Sequence, residues 1–232
     1  MQSGIRSVFI GGLGLVAAFG GLPDRQADSP WTDLFAVEPG ELGSIGRNPY
    51  FVLEPGYRLV LEGGDERLTI TVLAETRMVD DIESRIVEER ETKAGALVEV
   101  SRNYYAISRR SNSVFYLGED VDMYTNGRVS GHDGSWAAGS NGARFGLMMP
   151  GQPLLGGRYY QELAPGVAMD RARIVSMTGS LTTRAGAFTA VLRVEETTPL
   201  EPKGKEHKVY AAGVGLIQDG SLTLVSFGPK SD

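Results

Sequence analysis

Four side chains in the last third of the chain carry the chemistry that a site requires: Glu162, Asp170, Glu196 and His207. They fall in successive short segments that read as neighbouring strands, so the four could converge on one cavity. Three carboxylates and one imidazole can hold a hard divalent cation, or can divide acid and base roles if their surroundings push their pKa values apart. The competing reading is structural, because Arg171, Arg173 and Arg193 share those segments and cross-strand ion pairs are common. The pattern names no particular metal and implies no other cofactor.

A second group lies just before these acids. From Trp136 to Tyr160 the chain is at its most lipophilic without alternating, with Phe145, Leu147, Met148, Met149, Leu154 and Leu155 set among glycines and prolines. Flexible methionine and aromatic side chains suit a pocket wall or lid, and suit a core plug equally well. Read as a pocket, Trp136, Met148, Met149 and Tyr160 supply contact area to an apolar or amphiphilic small molecule, while Glu162 and Arg171 orient its polar end.

Other chemistries are harder to build. His132 and His207 are the only histidines, so a three-histidine zinc site is excluded. No Gly-x-Ser-x-Gly elbow occurs. The acids Glu119, Asp120 and Asp122 resemble a calcium loop, but Tyr124 stands where an oxygen ligand belongs, and a hairpin edge with solvated acids is the better reading. Gly12, Gly14 and Ala17 match a dinucleotide fingerprint in spacing only, since no strand precedes them. The formal net charge is −6 and no basic run exceeds Arg109-Arg110, which argues against nucleic acid as a partner. The absence of cysteine removes disulfides, thiolate metal sites and a lipoprotein anchor.

The elements that must position these residues are strands. In Arg67–Val72, Leu68, Ile70 and Val72 take one face while Arg67, Thr69 and Thr71 take the other. Similar segments follow at 82–93, 96–109, 113–124, 158–164, 168–183, 187–198, 206–218 and 221–227. Turn pairs separate them: Asp80-Asp81, Ala94-Gly95, Ser111-Asn112, Asn126-Gly127, Ala185-Gly186 and Asp219-Gly220. The expected fold is all-β, a strongly curved antiparallel meander forming a barrel or half-barrel of about ten strands. Charges on the second face of several strands, Arg85 among them, are expected to meet solvent or a cavity. Residues 1–20, with Arg6 followed by a neutral apolar stretch, read as a signal peptide that leaves no membrane span after cleavage, a retained membrane anchor being the rival reading. Residues 21–47 read as a flexible N-terminal segment, 48–228 as a single β domain and 229–232 as a tail.

Several stretches carry a family resemblance: Asn48-Pro49-Tyr50-Phe51, Gly134-Ser135-Trp136-Ala137-Ala138-Gly139, Tyr159-Tyr160-Gln161-Glu162, Met169-Asp170-Arg171 and Tyr210-Ala211-Ala212-Gly213-Val214-Gly215-Leu216. In these the chain resembles a group of secreted bacterial β-proteins with no established activity, over residues 48 to 228. The last stretch is also similar to bacterial envelope proteins whose antiparallel half-barrel holds a lipid, although Ala212 stands where proline is expected. The resemblance implies an exported β-fold and no reaction. The reading that unites these features is a secreted or periplasmic protein that binds an apolar or amphiphilic small molecule. Its alternatives are an extracellular enzyme using the carboxylate and histidine cluster, and a structural envelope protein.

Overall fold

The structure is a computed structural model that describes residues 30–229. The signal-peptide reading and the last three residues of the expected tail lie outside the described residues. Strands β1 (Tyr57–Gly63) and β2 (Glu66–Val79) show how the sequence pattern becomes a sheet. Leu59 pairs with Ile70 and Leu61 with Leu68, an apolar row turned inward. The intervening row faces out, where Arg67 meets Glu62 at 2.8 Å. The chain then runs on through β3 (Ile82–Lys93), β4 (Ala96–Ser108) and β5 (Val114–Thr125). The turns are those that the sequence names. Asp80 and Asp81 have φ of 48° and 60°, and Ala94-Gly95 and Asn126-Gly127 are likewise left-handed, the twist a two-residue hairpin needs.

The remaining strands are β6 (Arg144–Met149), β7 (Arg158–Tyr160), β8 (Glu162–Leu163), β9 (Arg171–Ser176), β10 (Leu192–Thr198), β11 (Glu201–Ala211), β12 (Gly215–Asp219) and β13 (Leu222–Pro229). Their order in the sheet is β7-β9-β10-β11-β12-β13-β1-β2-β3-β4-β5-β6-β8. The first and last members are consecutive in the chain, with only Gln161 between them. Tyr160 pairs with Arg171 of β9 on one side, and Glu162 pairs with Phe145 of β6 on the other. The N–H groups of Gln161 and Glu162 both donate to the Asp170 carbonyl, at 2.8 and 3.1 Å. One short piece of chain therefore holds both edges, and the sheet is nearly closed into a barrel.

With three short flanking strands the sheet has sixteen members, more than the expected ten. The excess comes from breaks that the apolar pattern does not register. The 206–218 segment divides into β11 and β12, because Gly213 and Gly215 at φ 78° and 110° turn the chain. The 168–183 segment ends as β9 at Ser176, and 180–183 then pairs with 186–189 as a separate hairpin.

The largest apolar cluster fills the concave side of the sheet. A smaller one lies outside it, where Val79, Ile82, Tyr104, Phe115 and Leu117 are covered by the chain before β1. There the Phe35 ring meets Phe115 edge to face at 6.0 Å, and Leu42–Gly43 pairs with β4. Residues Asn103–Ser108 are consequently buried on both faces, and alternation disappears from that run. Residues 30–47, read from composition as a loose segment, are laid along the barrel, and Thr32 exchanges backbone hydrogen bonds with Arg158 and Tyr160 at 3.1 and 2.9 Å. Arg85, expected on a solvent or cavity face, is instead 3% exposed. β2 bulges between Val72 and Thr76, and the Arg85 guanidinium collects the carbonyls that the bulge leaves without strand partners.

Candidate functional site

A pocket opens on the concave side of the sheet, with a cavity volume of about 60 Å³. Alternation explains its walls: Leu59 of β1, Ile70 and Val72 of β2, Val87 of β3 and Leu216 of β12 all sit on inward rows. Its lip is built by the Asn-Pro-Tyr-Phe stretch. Asn48 is buried, and its Nδ2 donates to the carbonyls of Asn112 and Pro150 at 2.8 and 3.0 Å, while its Oδ1 accepts the Tyr50 N–H at 2.8 Å. The Pro49 carbonyl accepts the Gly213 N–H at 2.7 Å. These bonds fix Tyr50 and Phe51 over the opening, with Phe51 edge-on to Tyr105 at 5.0 Å. Opposite them the Tyr57 hydroxyl donates to the Val214 carbonyl at 2.8 Å, tying β1 to the β11–β12 turn.

The polar part of the wall comprises Glu89, Lys208 and Asp219. Lys208 Nζ lies 2.8 Å from Glu196 Oε2, and Gln161 Nε2 donates to Glu196 Oε1 at 2.9 Å. The residue that joins the two sheet edges thus also braces this carboxylate, and it reaches the Met148 sulfur of the pocket wall at 3.6 Å. Burial alone would lower the Lys208 ammonium, yet the neighbouring charges of Glu196 and Asp219 carry it well above its ordinary value.

Three further carboxyl groups lie nearby, Glu162 buried and Asp170 and Glu119 half-buried. Burial, with the like charge of Glu196, raises Asp170 to about 7. Burial raises Glu119 to about 8, with Glu99, Glu89 and Asp170 adding to it. Glu162 is pushed well above the carboxylate range, first by burial and then by Asp170 and Glu119, and its Oε2 is buried without a hydrogen-bond partner. The same surroundings raise the Tyr105 and Tyr116 hydroxyls, burial again leading. Tyr116 donates to Asn103 Oδ1 at 2.5 Å and stands edge-on to Trp136 at 5.4 Å.

The structure brings Glu162, Asp170 and Glu196 into one interior and puts His207 on the opposite face. His207 is exposed and 3.7 Å from Glu195, which also holds Arg173 at 3.0 Å and Lys205 at 2.8 Å. His207 is therefore corrected to an external ion-pair network, since a strand alternates and only one of two adjacent residues can point inward. Lys208 is the inward one. Among the described residues no group of three or more histidines and acids is arranged to hold a metal ion. Asp120 and Asp122, of the calcium-like stretch, are paired with Arg77 at 2.5 Å and Arg102 at 3.1 Å.

Of the side chains expected to contact a ligand, Met148 lines the pocket. Trp136 and Met149 are core residues, 7% and 1% exposed. Tyr160 and Arg171 sit together outside, grouped round Trp31 at 6.4 and 4.5 Å. Leu154 and Leu155 are exposed. The pocket thus lies under the β11–β12 turn and the Asn48–Phe51 lip rather than under 136–160. Tyr57, Tyr105 and Tyr210, with Lys208 and Asp219, are the wall residues that motif spacing did not single out. The alternating Glu206-Lys208-Tyr210 row was the signal that could have found two of them.

No family model matches the chain, and neither a curated protein nor a solved structure shows significant similarity to it. Its class is that of an all-β protein, a large antiparallel sheet nearly closed around an internal pocket. Among the described residues no helix is long and apolar enough to cross a membrane.

Proposed function

We propose that this is an exported protein, secreted or periplasmic, that binds an apolar or amphiphilic small molecule inside the barrel. The observation that carries this reading is the pocket itself, with aromatic and aliphatic walls and a charged patch at one side, the composition of a small-molecule site. Such a site takes the ligand's carbon skeleton against Leu59, Ile70, Val72 and Val87 and its polar end near Glu89, Lys208 and Asp219. The likeness of the Tyr210–Leu216 stretch to lipid-holding half-barrels supports the same reading, for this stretch forms part of the wall. An acid–base enzyme has weaker support, since Glu196 is already committed to Lys208 and Gln161.

The neutral dye Nile red tests the binding reading. Saturable one-to-one fluorescence enhancement is expected for the intact chain. Ile70→Trp, which projects an indole into the pocket, should weaken it at least tenfold, about 1.4 kcal/mol, at an unchanged urea midpoint. Dye binding that this substitution leaves intact would put the ligand elsewhere.

A further inference from the structure

The pocket has a distinct electrostatic character. Five aromatic rings line it, those of Tyr50, Phe51, Tyr57, Tyr105 and Tyr210, and carboxylates enter from β3 at Glu89 and from β12 at Asp219. Lys208 is the only cationic side chain among the described lining residues. Its ammonium is matched by Glu196 at 2.8 Å, and Asp219 pairs with it in register across β11 and β12. Behind this wall stand Asp170, Glu119 and Glu162, the last with an oxygen buried and lacking any hydrogen-bond partner. Glu162 acts electrostatically on both Tyr105 and Lys208 of the wall.

An anionic ligand head would meet one ammonium that is already paired and the wall carboxylates Glu89 and Asp219, which repel it. A cationic head meets the opposite arrangement. The negative faces of aromatic rings attract an ammonium, most strongly where water is excluded, and nearby carboxylates complete the recognition. The surrounding apolar wall can take an alkyl or aryl body.

Building on the binding reading above, we propose that the ligand is an organic ammonium, an amine or quaternary ammonium on an apolar body, whose charged end sits among the aromatic rings and is directed to Glu89 and Asp219. The carbon body then lies along Leu59, Ile70, Val72 and Val87. Lys208 engages Glu196 at 2.8 Å, and the head is directed to the carboxylates that line the wall itself.

Four probes of one chain length separate charge from apolarity: octylamine, octyltrimethylammonium, octanol and octanoate, each titrated below micelle formation into the intact chain by calorimetry at pH 7. Octylamine is expected to bind at least tenfold more tightly than octanol, and octanoate the most weakly of all. Asp219→Asn should reduce the octylamine-to-octanol preference severalfold and leave octanol affinity unchanged, a comparison that does not depend on small changes in stability. Octanoate or octanol equal to octylamine would overturn the ammonium assignment while leaving the pocket reading standing. Failure of all four probes together with Nile red would overturn both.

Discussion

Lys208 shows how much one inward position decides. Its neighbour His207 points outward, while its own ammonium turns inward and lies 2.8 Å from the buried Glu196 carboxyl group. Removing one partner of such a pair leaves the other's charge buried, whereas removing both leaves a neutral contact. Lys208→Met is therefore expected to cost about 3 kcal/mol, the low end for breaking a buried pair, because 23% of the lysine side chain still reaches solvent. Adding Glu196→Gln should restore much of that loss, since glutamine keeps a neutral bond to Gln161. Urea unfolding of the two single variants and the double variant measures this directly, and additive losses would show that the pair is not coupled. His207→Gln serves as the contrast: with its side chain 59% exposed beside Glu195, it should change stability by no more than about 0.5 kcal/mol.

At the scale of elements, the β2 bulge and Arg85 belong together. β2 places three residues, Leu73 to Glu75, between paired positions where β3 places one, Ile86, and the carbonyls of Leu73, Ala74 and Glu75 turn toward one guanidinium. Arg85 Nε meanwhile donates to the Ser44 carbonyl at 2.9 Å, so this side chain also anchors the segment laid over the outer face. Arg85→Met should cost about 3 kcal/mol by leaving these carbonyls without a donor. Arg85→Lys should recover only part, because one ammonium cannot serve both the bulge and Ser44. Hydrogen exchange should show the loosening confined to the neighbourhood of 42–48 and 73–85, and uniform loosening would deny the link. Such pairings mark the boundary of what the sequence makes legible. Local rules produced the hairpins, for a left-handed Ala94-Gly95 or Asn126-Gly127 is dictated by residues adjacent in sequence. Alternation likewise exposed the inward row of β2, Leu68 to Val72. Closure of the sheet through Gln161 depends on which distant edges meet, and nothing in Tyr159-Tyr160-Gln161-Glu162 distinguishes one strand from a junction between two. Three of the four proposed acid–base residues share the interior because the junction at Gln161 sets Glu162 beside Asp170 and the β9–β10 edge, while His207 fails on parity, a one-residue matter that residue type does not reveal. The pocket wall was hidden for another reason: Tyr57, Tyr105 and Tyr210 look like ordinary core aromatics until β1, β4 and β11 are brought round to face one space.

The whole barrel responds to pH through its interior. Asp170, raised to about 7, and Glu119, raised to about 8, take up protons in the folded protein at pH values where the unfolded chain has already lost them, and Glu162 adds to them in the same direction. Between the ordinary carboxylate range and about pH 8 the folded state therefore binds more protons than the unfolded state, and stability falls as pH rises. The contribution is fully present below about pH 4 and is lost as pH passes through 7 and 8, with each group adding a slope of up to about 1.4 kcal/mol per pH unit. Glu54 and Glu195 work in the opposite sense. The Arg47 hydrogen bond holds Glu54 below its ordinary value, and Lys205 and Arg173 do the same for Glu195 against its partial burial. Their stabilising effect is lost only as pH falls below the ordinary carboxylate range, outside a window of pH 5 to 9. The urea midpoint is thus expected to drop steadily from pH 5 to pH 9, and Glu119→Gln, neutral throughout, should flatten that decline. A midpoint that rose over the same range would mean that the interior carboxyl groups are hydrated and ionise normally. A cation admitted to the neighbouring pocket stabilises the ionised carboxylates, so octylamine should reduce the decline where octanol does not, which ties the stability profile of the barrel to the charge of what it holds.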